Sequence, residues 1–242
     1  MSLAPENIVV IGCAGAIGGA FVKLLSSTYP SASVSAFSRQ KPTHAIPRVA
    51  YHSIDYTNES SLEKASQEAV SDKPLDLVIV ATGVLHHGET LPEKSLKELS
   101  VEKFHYLFEA NTITPALIAK HFLPKLNKEQ PSRFAALSAR VGSISDNELG
   151  GWYAYRASKA ALNMIIKNAA IEIARSNKQA IIVGLHPGTV DSDLSKPFQG
   201  GIPVEKLFTP DYSAEQLLRV LGNLTTKDSG KCFAWDGKEV LP

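Results

Sequence analysis

The chain has 242 residues, 44% of them hydrophobic and 20% charged, a globular mixture that excludes a disordered or low-complexity protein. Its 25 basic and 24 acidic side chains are interspersed and leave a formal net charge of +1, which excludes a nucleic-acid surface and a polybasic membrane patch. Two cysteines, Cys13 and Cys232, lie far apart with no CxxC or Cys/His spacing, so they read as reduced thiols and not as a disulfide or a zinc set.

The opening MSLAPENIVVIG lacks a basic stretch ahead of a long apolar core, so no signal peptide is expected and the expected location is cytoplasmic. No apolar run approaches the length needed to span a bilayer. Ile8 to Ile11 is a short apolar run ended by Gly12, the pattern of a buried parallel strand. Ala16 to Ser26 follows as a helix with Ile17, Ala20, Phe21, Leu24 and Leu25 on one stripe. Strands are expected at Val34 to Phe37, Arg48 to Ile54 and Leu75 to Ala81, with a helix over Ser60 to Val70. Val101 to Leu123 reads as one long helical stretch that Pro115 bends or divides. Phe134 to Leu137 is a fifth strand, Tyr153 to Arg175 a second long helix and Ala180 to Leu185 a sixth strand. A helix over Ala214 to Leu221 and a strand over Lys231 to Trp235 end the pattern.

Strands alternating with helices imply right-handed crossovers and one α/β domain, residues 1–242, built on a doubly wound parallel sheet with helices on both faces. Residues 191–209, rich in Gly, Pro and Ser, are the least regular and form the expected substrate lid.

The segment Gly12-Cys-Ala-Gly-Ala-Ile-Gly18 joins the first strand to the first helix. Gly12, Gly15 and Gly18 allow a tight turn and close approach to a pyrophosphate, which the helix start at Ala16 and Ile17 would stabilise. The spacing is GxxxxxG with an internal glycine and no GK[ST] ending, which disfavours a nucleotide triphosphatase. A glycine turn that only packs helix on sheet is the bland alternative. Arg39 follows the second strand, where a carboxylate would bind a free ribose 2′-hydroxyl and an arginine suits a 2′-phosphate. With Ser38 beside it to add a hydrogen bond, NADP(H) is preferred, with NAD(H) as the other option. Asp55, after the third strand, could accept from the adenine amino group, or equally cap the turn before Thr57 and Asn58.

Tyr155 and Lys159 in Trp152-Tyr-Ala-Tyr-Arg-Ala-Ser-Lys159 are four apart and share a helix face, whereas Tyr153 does not. A nearby ammonium favours the phenolate, so such a pair can pass a proton to or from a carbonyl oxygen. An early glycine loop, strand–helix alternation, YxxxK on a long helix, and His186-Pro-Gly188 after the sixth strand come in a fixed order. In that order the chain resembles the short-chain dehydrogenase/reductase family, and YAYRASKAALN with GSI ahead of it looks most like its C-factor-like and sniffer-like carbonyl reductase branch.

The resemblance implies a Rossmann fold, a nicotinamide cofactor, a small carbonyl or alcohol substrate and a homodimer or homotetramer. It makes Tyr155 the general acid/base, Lys159 the group that lowers its pKa and holds the nicotinamide ribose, and Asn111 the support of a proton-relay water. It sets Ala81, Thr82 and Gly83, then Pro187, Gly188, Val190 and Ser192, against the cofactor.

Two departures stand out. Family members carry S-S-x-x-G where this chain has Ser138-Ala-Arg-Val-Gly142, so Ala139 occupies the position of the substrate-binding serine. Ser143 is the expected substitute; Ser138 would point the other way along an extended chain. The family's N-N-A-G reads Val80-Ala-Thr-Gly83, with Thr82 as a partial replacement for the structural asparagine. His86 and His87 are expected on the rim and no metal site is expected. An NADP-dependent reductase is therefore the leading expectation; the alternative is a weak or inactive dinucleotide-binding sensor or signalling protein, which Ala139 favours.

Overall fold

β1 (Asn7–Ile11) is apolar along its length because both its faces are covered: Ile8 and Val10 join one core, Val9 and Ile11 the other. The computed structural model describes residues 4–40, 45–70, 73–86, 88, 91–201 and 203–242. Within them the chain continues as α1 (Ala16–Thr28), β2 (Ser33–Ser38), β3 (Val49–Ser53), α2 (Glu59–Ala69) and β4 (Leu77–Val80). Next come α3 (Val101–Phe108), α4 (Thr114–Phe122), β5 (Ser132–Leu137), α5 (Tyr153–Ile173) and β6 (Ala180–His186). The last part holds β7 (Thr189–Val190), β8 (Leu207–Phe208), α6 (Pro210–Asn223), β9 (Cys232–Ala234) and β10 (Glu239–Val240).

Eight strands form one sheet in the order β10-β9-β6-β5-β4-β1-β2-β3, parallel except at the β10–β9 pair. The expected doubly wound α/β sheet is therefore present. Phe21, Leu25, Leu217 and Leu221 bring α1 and α6 onto one face. Leu62, Ile118, Phe122, Leu162 and Ile166 bring α2, α4 and α5 onto the other. Full burial of a Phe or Leu side chain stabilises by about 1.5–3 kcal/mol, so these stripes hold the layers together.

The expected helix over Val101 to Leu123 is divided in the turn just ahead of Pro115. A π turn at Glu109–Ile113 joins α3 to α4, and the Thr114 N–H reaches back to the Glu109 carbonyl. Pro115 lies in the first turn of α4, and with no N–H of its own it cannot donate back into the π turn that precedes it. α6 begins earlier than expected because the Thr209 hydroxyl accepts the Tyr212 N–H and Pro210 suits the first turn. The short strands β7, β8 and β10 have two residues each, too few for an alternation pattern to register.

Candidate active site

The sheet order reverses at β1, with β2 on one side and β4 on the other, which opens a crevice at the carboxyl ends of β1 and β4. Gly12 stands there at φ 91°, and a Cβ on it would sit 2.8 Å from the Ala81 carbonyl carbon and oxygen. Its N–H and that of Cys13 donate to the Phe37 carbonyl, tying the loop to β2. Gly15 is the N-cap of α1 and has no side chain to cap it, so the first N–H groups of the helix, at Ala16 and Ile17, have no side-chain acceptor at the cap. Gly18 acts by packing: a Cβ would meet the Gly12 oxygen at 2.1 Å.

A cavity of about 440 Å³ opens beside this loop, lined among others by Gly12, Gly15, Ser38, Arg39, Tyr56 and Thr82. Ser38 is buried; its hydroxyl accepts from the Cys13 thiol and donates to the Gln40 carbonyl, which shapes the turn into Arg39. The exposed Arg39 guanidinium lies 5.8 Å from the centroid of the Tyr56 ring. Asp55 accepts from the Thr57 hydroxyl (2.7 Å) and N–H (2.9 Å), bonds that hold its carboxyl below the ordinary value. The turn-capping option for Asp55 is thus occupied, and Tyr56 and Thr57 line the cavity. The buried hydroxyls of Tyr56 and Thr82 make no hydrogen bond of ordinary geometry among the described residues. Leaving such groups unpaired costs about 1–3 kcal/mol each, a cost that a polar ligand in the cavity would remove. Sequence reasoning missed Tyr56; its place three residues beyond the end of β3, next to Asp55, was the available signal.

On α5, Tyr155 and Lys159 are both buried, and the Lys159 ammonium lies 5.9 Å from the Tyr155 ring centroid. The ammonium donates to the Leu137 carbonyl at 2.9 Å, at the carboxyl end of β5. Burial pulls the Lys159 pKa down to about 8. Burial also pushes the Tyr155 phenol above its ordinary value of 10.0, opposite to the lowering expected from the lysine. Desolvation wins because both groups sit out of water and the ammonium is turned toward a carbonyl. Asn111, in the middle of the π turn, is fully buried. Its amide accepts from the Val84 N–H and donates to the Val84 carbonyl, both at 2.9 Å, and also donates to the Ser158 hydroxyl at 3.2 Å. A Cβ on Gly83 would come within 3.3 Å of both Asn111 Oδ1 and Lys159 Nζ, so the three positions converge.

The sequence pattern of the short chain dehydrogenase family matches residues 6–201. The chain belongs to this family. C-signal of Myxococcus xanthus is 35% identical to it over 133 residues, 55% of this chain and 75% of that protein. The 1-hydroxy-2-glutathionyl-2-methyl-3-butene dehydrogenase of Rhodococcus sp. (strain AD45) is 32% identical over 186 residues, 76% of each chain. The crystal structure of NADPH-bound carbonyl reductase from chicken fatty liver superposes with a TM-score of 0.83 at 26% identity, covering 98% of this chain and 99% of that one. The relatives thus include C-signal, and the solved structures of similar fold include carbonyl reductases, in keeping with the resemblance drawn from YAYRASKAALN and GSI.

Short chain dehydrogenases bind nicotinamide dinucleotides, and the residues of this crevice fit one: a glycine loop without side chains, an open helix start and two unpaired buried hydroxyls. Pro187, whose carbonyl accepts from Ser213 at 2.9 Å, and Gly188, at φ 77°, follow β6. Gly188 abuts the Phe208 ring, which a Cβ would approach to 2.6 Å. Val190 is in β7 and pairs with Phe208. The Ser192 hydroxyl donates back to the Val190 carbonyl at 3.3 Å. Thr82 makes no bond that replaces the family's asparagine; Ala81 N–H to Ile11 O at 2.7 Å and the Asn111–Val84 pair tie that loop.

At the departure from the serine motif, Ala139 packs in the apolar group around Tyr155, with Leu85, Val141, Trp152 and Phe198. The Ser138 hydroxyl donates to Asn163 at 2.7 Å. Ser143 is buried; its hydroxyl accepts the Asp146 N–H at 3.1 Å and faces Ser145 Oγ at 3.3 Å. Ser145 directs its own proton to the Pro242 carbonyl, which makes Ser143 the donor of that pair. A bidentate Arg140–Asp146 ion pair closes the same loop. From the segment 191–209, Phe198 packs on Trp152 with centroids 5.0 Å apart and on His86 at 5.8 Å, and Trp152 packs on Tyr155 at 6.1 Å. His86 Nε2 donates to the Asp193 carbonyl of the same segment; His87 lies outside the described residues.

Proposed function

We propose that this short chain dehydrogenase is an NADPH-dependent reductase of small carbonyl compounds, with Tyr155 as the proton donor. The observation that carries the reading is a buried phenol, kept protonated by desolvation, one helical turn from a buried ammonium. When bound, the nicotinamide cofactor supplies the hydride. Tyr155 gives its proton to the carbonyl oxygen of the substrate, and in the reverse direction takes it from the alcohol. Lys159, charged below about pH 8, stabilises the phenolate left behind and offers N–H donors to the nicotinamide ribose. Asn111 holds the loop after β4 against α5 and supports the relay water.

Gly12, Gly15, Ala16, Ile17 and Gly18 would hold the pyrophosphate; Ser38, Arg39, Asp55 and Tyr56 the adenosine half; Ala81, Thr82, Gly83, Pro187, Gly188, Val190 and Ser192 the nicotinamide half. Arg39 supports NADP(H) over NAD(H), since a guanidinium suits a 2′-phosphate. The reading includes a single domain over 1–242 with a lid at 191–209 whose Phe198 covers the apolar wall, a homodimer or homotetramer, and a cytoplasmic setting in keeping with two free cysteines. No helix among the described residues is long and apolar enough to cross a membrane. Ser143 is the proposed substitute for the hydroxyl missing at Ala139, serving once it releases Ser145.

NADPH binding by fluorescence, followed by NADPH consumption against a panel of aldehydes and ketones, tests the proposal. Tyr155→Phe should bind NADPH as the wild type does and lose turnover by roughly 10²- to 10⁴-fold. Tight binding with no turnover in either protein would instead identify the sensor reading that Ala139 favours. Equal NADPH and NADH affinities, unchanged in Arg39→Ala, would remove the NADP preference.

A further inference from the structure

α5 begins in an unusual way. Gly150, Gly151 and Trp152 all have left-handed backbones, at φ 63°, 64° and 52°. Trp152 is the N-cap, yet its side chain makes no cap bond and the first turn has no acid, so the orphan N–H groups of the helix need acceptors from elsewhere. Glu93, in the loop between β4 and α3, supplies them. Its main-chain carbonyl accepts the Trp152 N–H at 2.5 Å, and its carboxylate Oε2 accepts the Ala154 N–H at 3.3 Å. Glu93 is 0% exposed, and its other oxygen, Oε1, is buried with no partner among the described residues. A carboxylate taken wholly out of water is costly to bury, and here it meets the positive end of a 21-residue helix. Gly151 lets Glu93 come close, since a Cβ there would stand 3.3 Å from the Glu93 carbonyl oxygen.

We infer that Glu93 is a positioning residue for the proton donor: it clamps the strained start of α5 and so sets where Tyr155 stands. Tyr155 follows Ala154 directly, and the Trp152 ring held by the same clamp packs on Tyr155 and on Phe198. A left-handed non-glycine residue is strained and persists only when its neighbours hold it. Trp152 is held on both sides, by Glu93 at its N–H and by the Arg156 N–H at its carbonyl, 2.8 Å away. Without the carboxylate the first turn would slip, and displacements of about 1 Å at a reacting group cost as much as 10²-fold in rate. This inference rests on the reductase reading above.

Three variants and three readouts test it. Glu93→Gln keeps an acceptor at full reach, Glu93→Asp keeps the charge but withdraws it, and Glu93→Ala removes both. Turnover should fall roughly 10- to 100-fold in Glu93→Ala and Glu93→Asp, with NADPH affinity unchanged, and Glu93→Gln should restore it. Amide hydrogen exchange at Ala154, whose N–H goes to the carboxylate, should quicken in the same two variants and stay slow in Glu93→Gln. Wild-type turnover in Glu93→Asp, or a loss in Glu93→Gln equal to that in Glu93→Ala, would overturn the clamp. So would a parallel fall in NADPH affinity, which marks general loosening. If Glu93→Ala does not fold, the Gln and Asp variants decide alone. A wild-type protein that reduces no carbonyl sinks the reductase reading, while the exchange measurement still reads the clamp.

Discussion

Below a pH of about 8 the buried Lys159 keeps its proton, and above it the ammonium is lost. Carbonyl reduction should therefore run on a plateau at neutral pH and decline as pH rises through about 8, measured as kcat/KM with NADPH saturating. A profile level to pH 10 would remove Lys159 as the charged partner. The linkage to stability has the opposite sense. A lysine depressed from 10.5 to about 8 binds fewer protons folded than unfolded between those values, so its contribution to stability rises with pH across that window. Ser143 is the other residue whose role a single change decides. If its hydroxyl serves the substrate, Ser143→Ala should reduce turnover by roughly 10²- to 10³-fold, as loss of an oxyanion donor does. If it only staples the loop to Asp146 and Ser145, denaturant unfolding will register the change and turnover will not.

The helix carrying Tyr155 and Lys159 is placed by three neighbours: the π turn, the Glu93 clamp and the 3₁₀ turn Arg140–Gly142. The π turn is joined to α5 through Ser158, whose carbonyl accepts from Thr112 at 2.8 Å and whose hydroxyl accepts from Asn111. At the 3₁₀ turn, a Cβ on Gly142 would lie 2.9 Å from the Lys159 carbonyl carbon and Cβ. The obstacle is helix backbone and cannot swing aside. Gly142→Ala should destabilise by about 1–3 kcal/mol and lower turnover as α5 shifts, read as an earlier urea midpoint and a smaller kcat. An unaltered midpoint would show that α5 is not seated on this turn. α5 was legible in the sequence because its pattern is internal: tyrosine and lysine four apart meet on one face wherever a helix forms. The break ahead of Pro115 was legible, but its form as a π turn over Glu109–Ile113 was not, because a missing N–H marks where a helix is weakened and not how its bonds rearrange.

For the whole molecule, several large apolar side chains remain on the surface of α5 and the π turn. Met164 is 62% exposed, Ile171 51% and Ile113 44%, with Met164 and Ile171 seven residues apart on one stripe. The proposed homo-oligomer would cover such a stripe. Sizing with light scattering should give a dimer or tetramer for the wild type and a smaller species for Met164→Glu, since a charge buried without a partner in the interface is strongly disfavoured. An unchanged mass in that variant would move the interface elsewhere. The whole-molecule architecture itself was readable in advance. Fully apolar strands alternating with striped helices admit few arrangements other than a parallel sheet covered on both faces.

The sequence by itself determined what depends on short-range spacing and order: the layers, the crevice behind the glycine loop and the Tyr155–Lys159 face. Only the tertiary structure decided what depends on contacts between distant segments and on burial. Tyr56 reaches the glycine loop's cavity from the end of another strand, and Glu93 caps a helix 61 residues further on. The phenol is pushed up because the packed core removes water from it, a many-body property that no spacing of residues encodes.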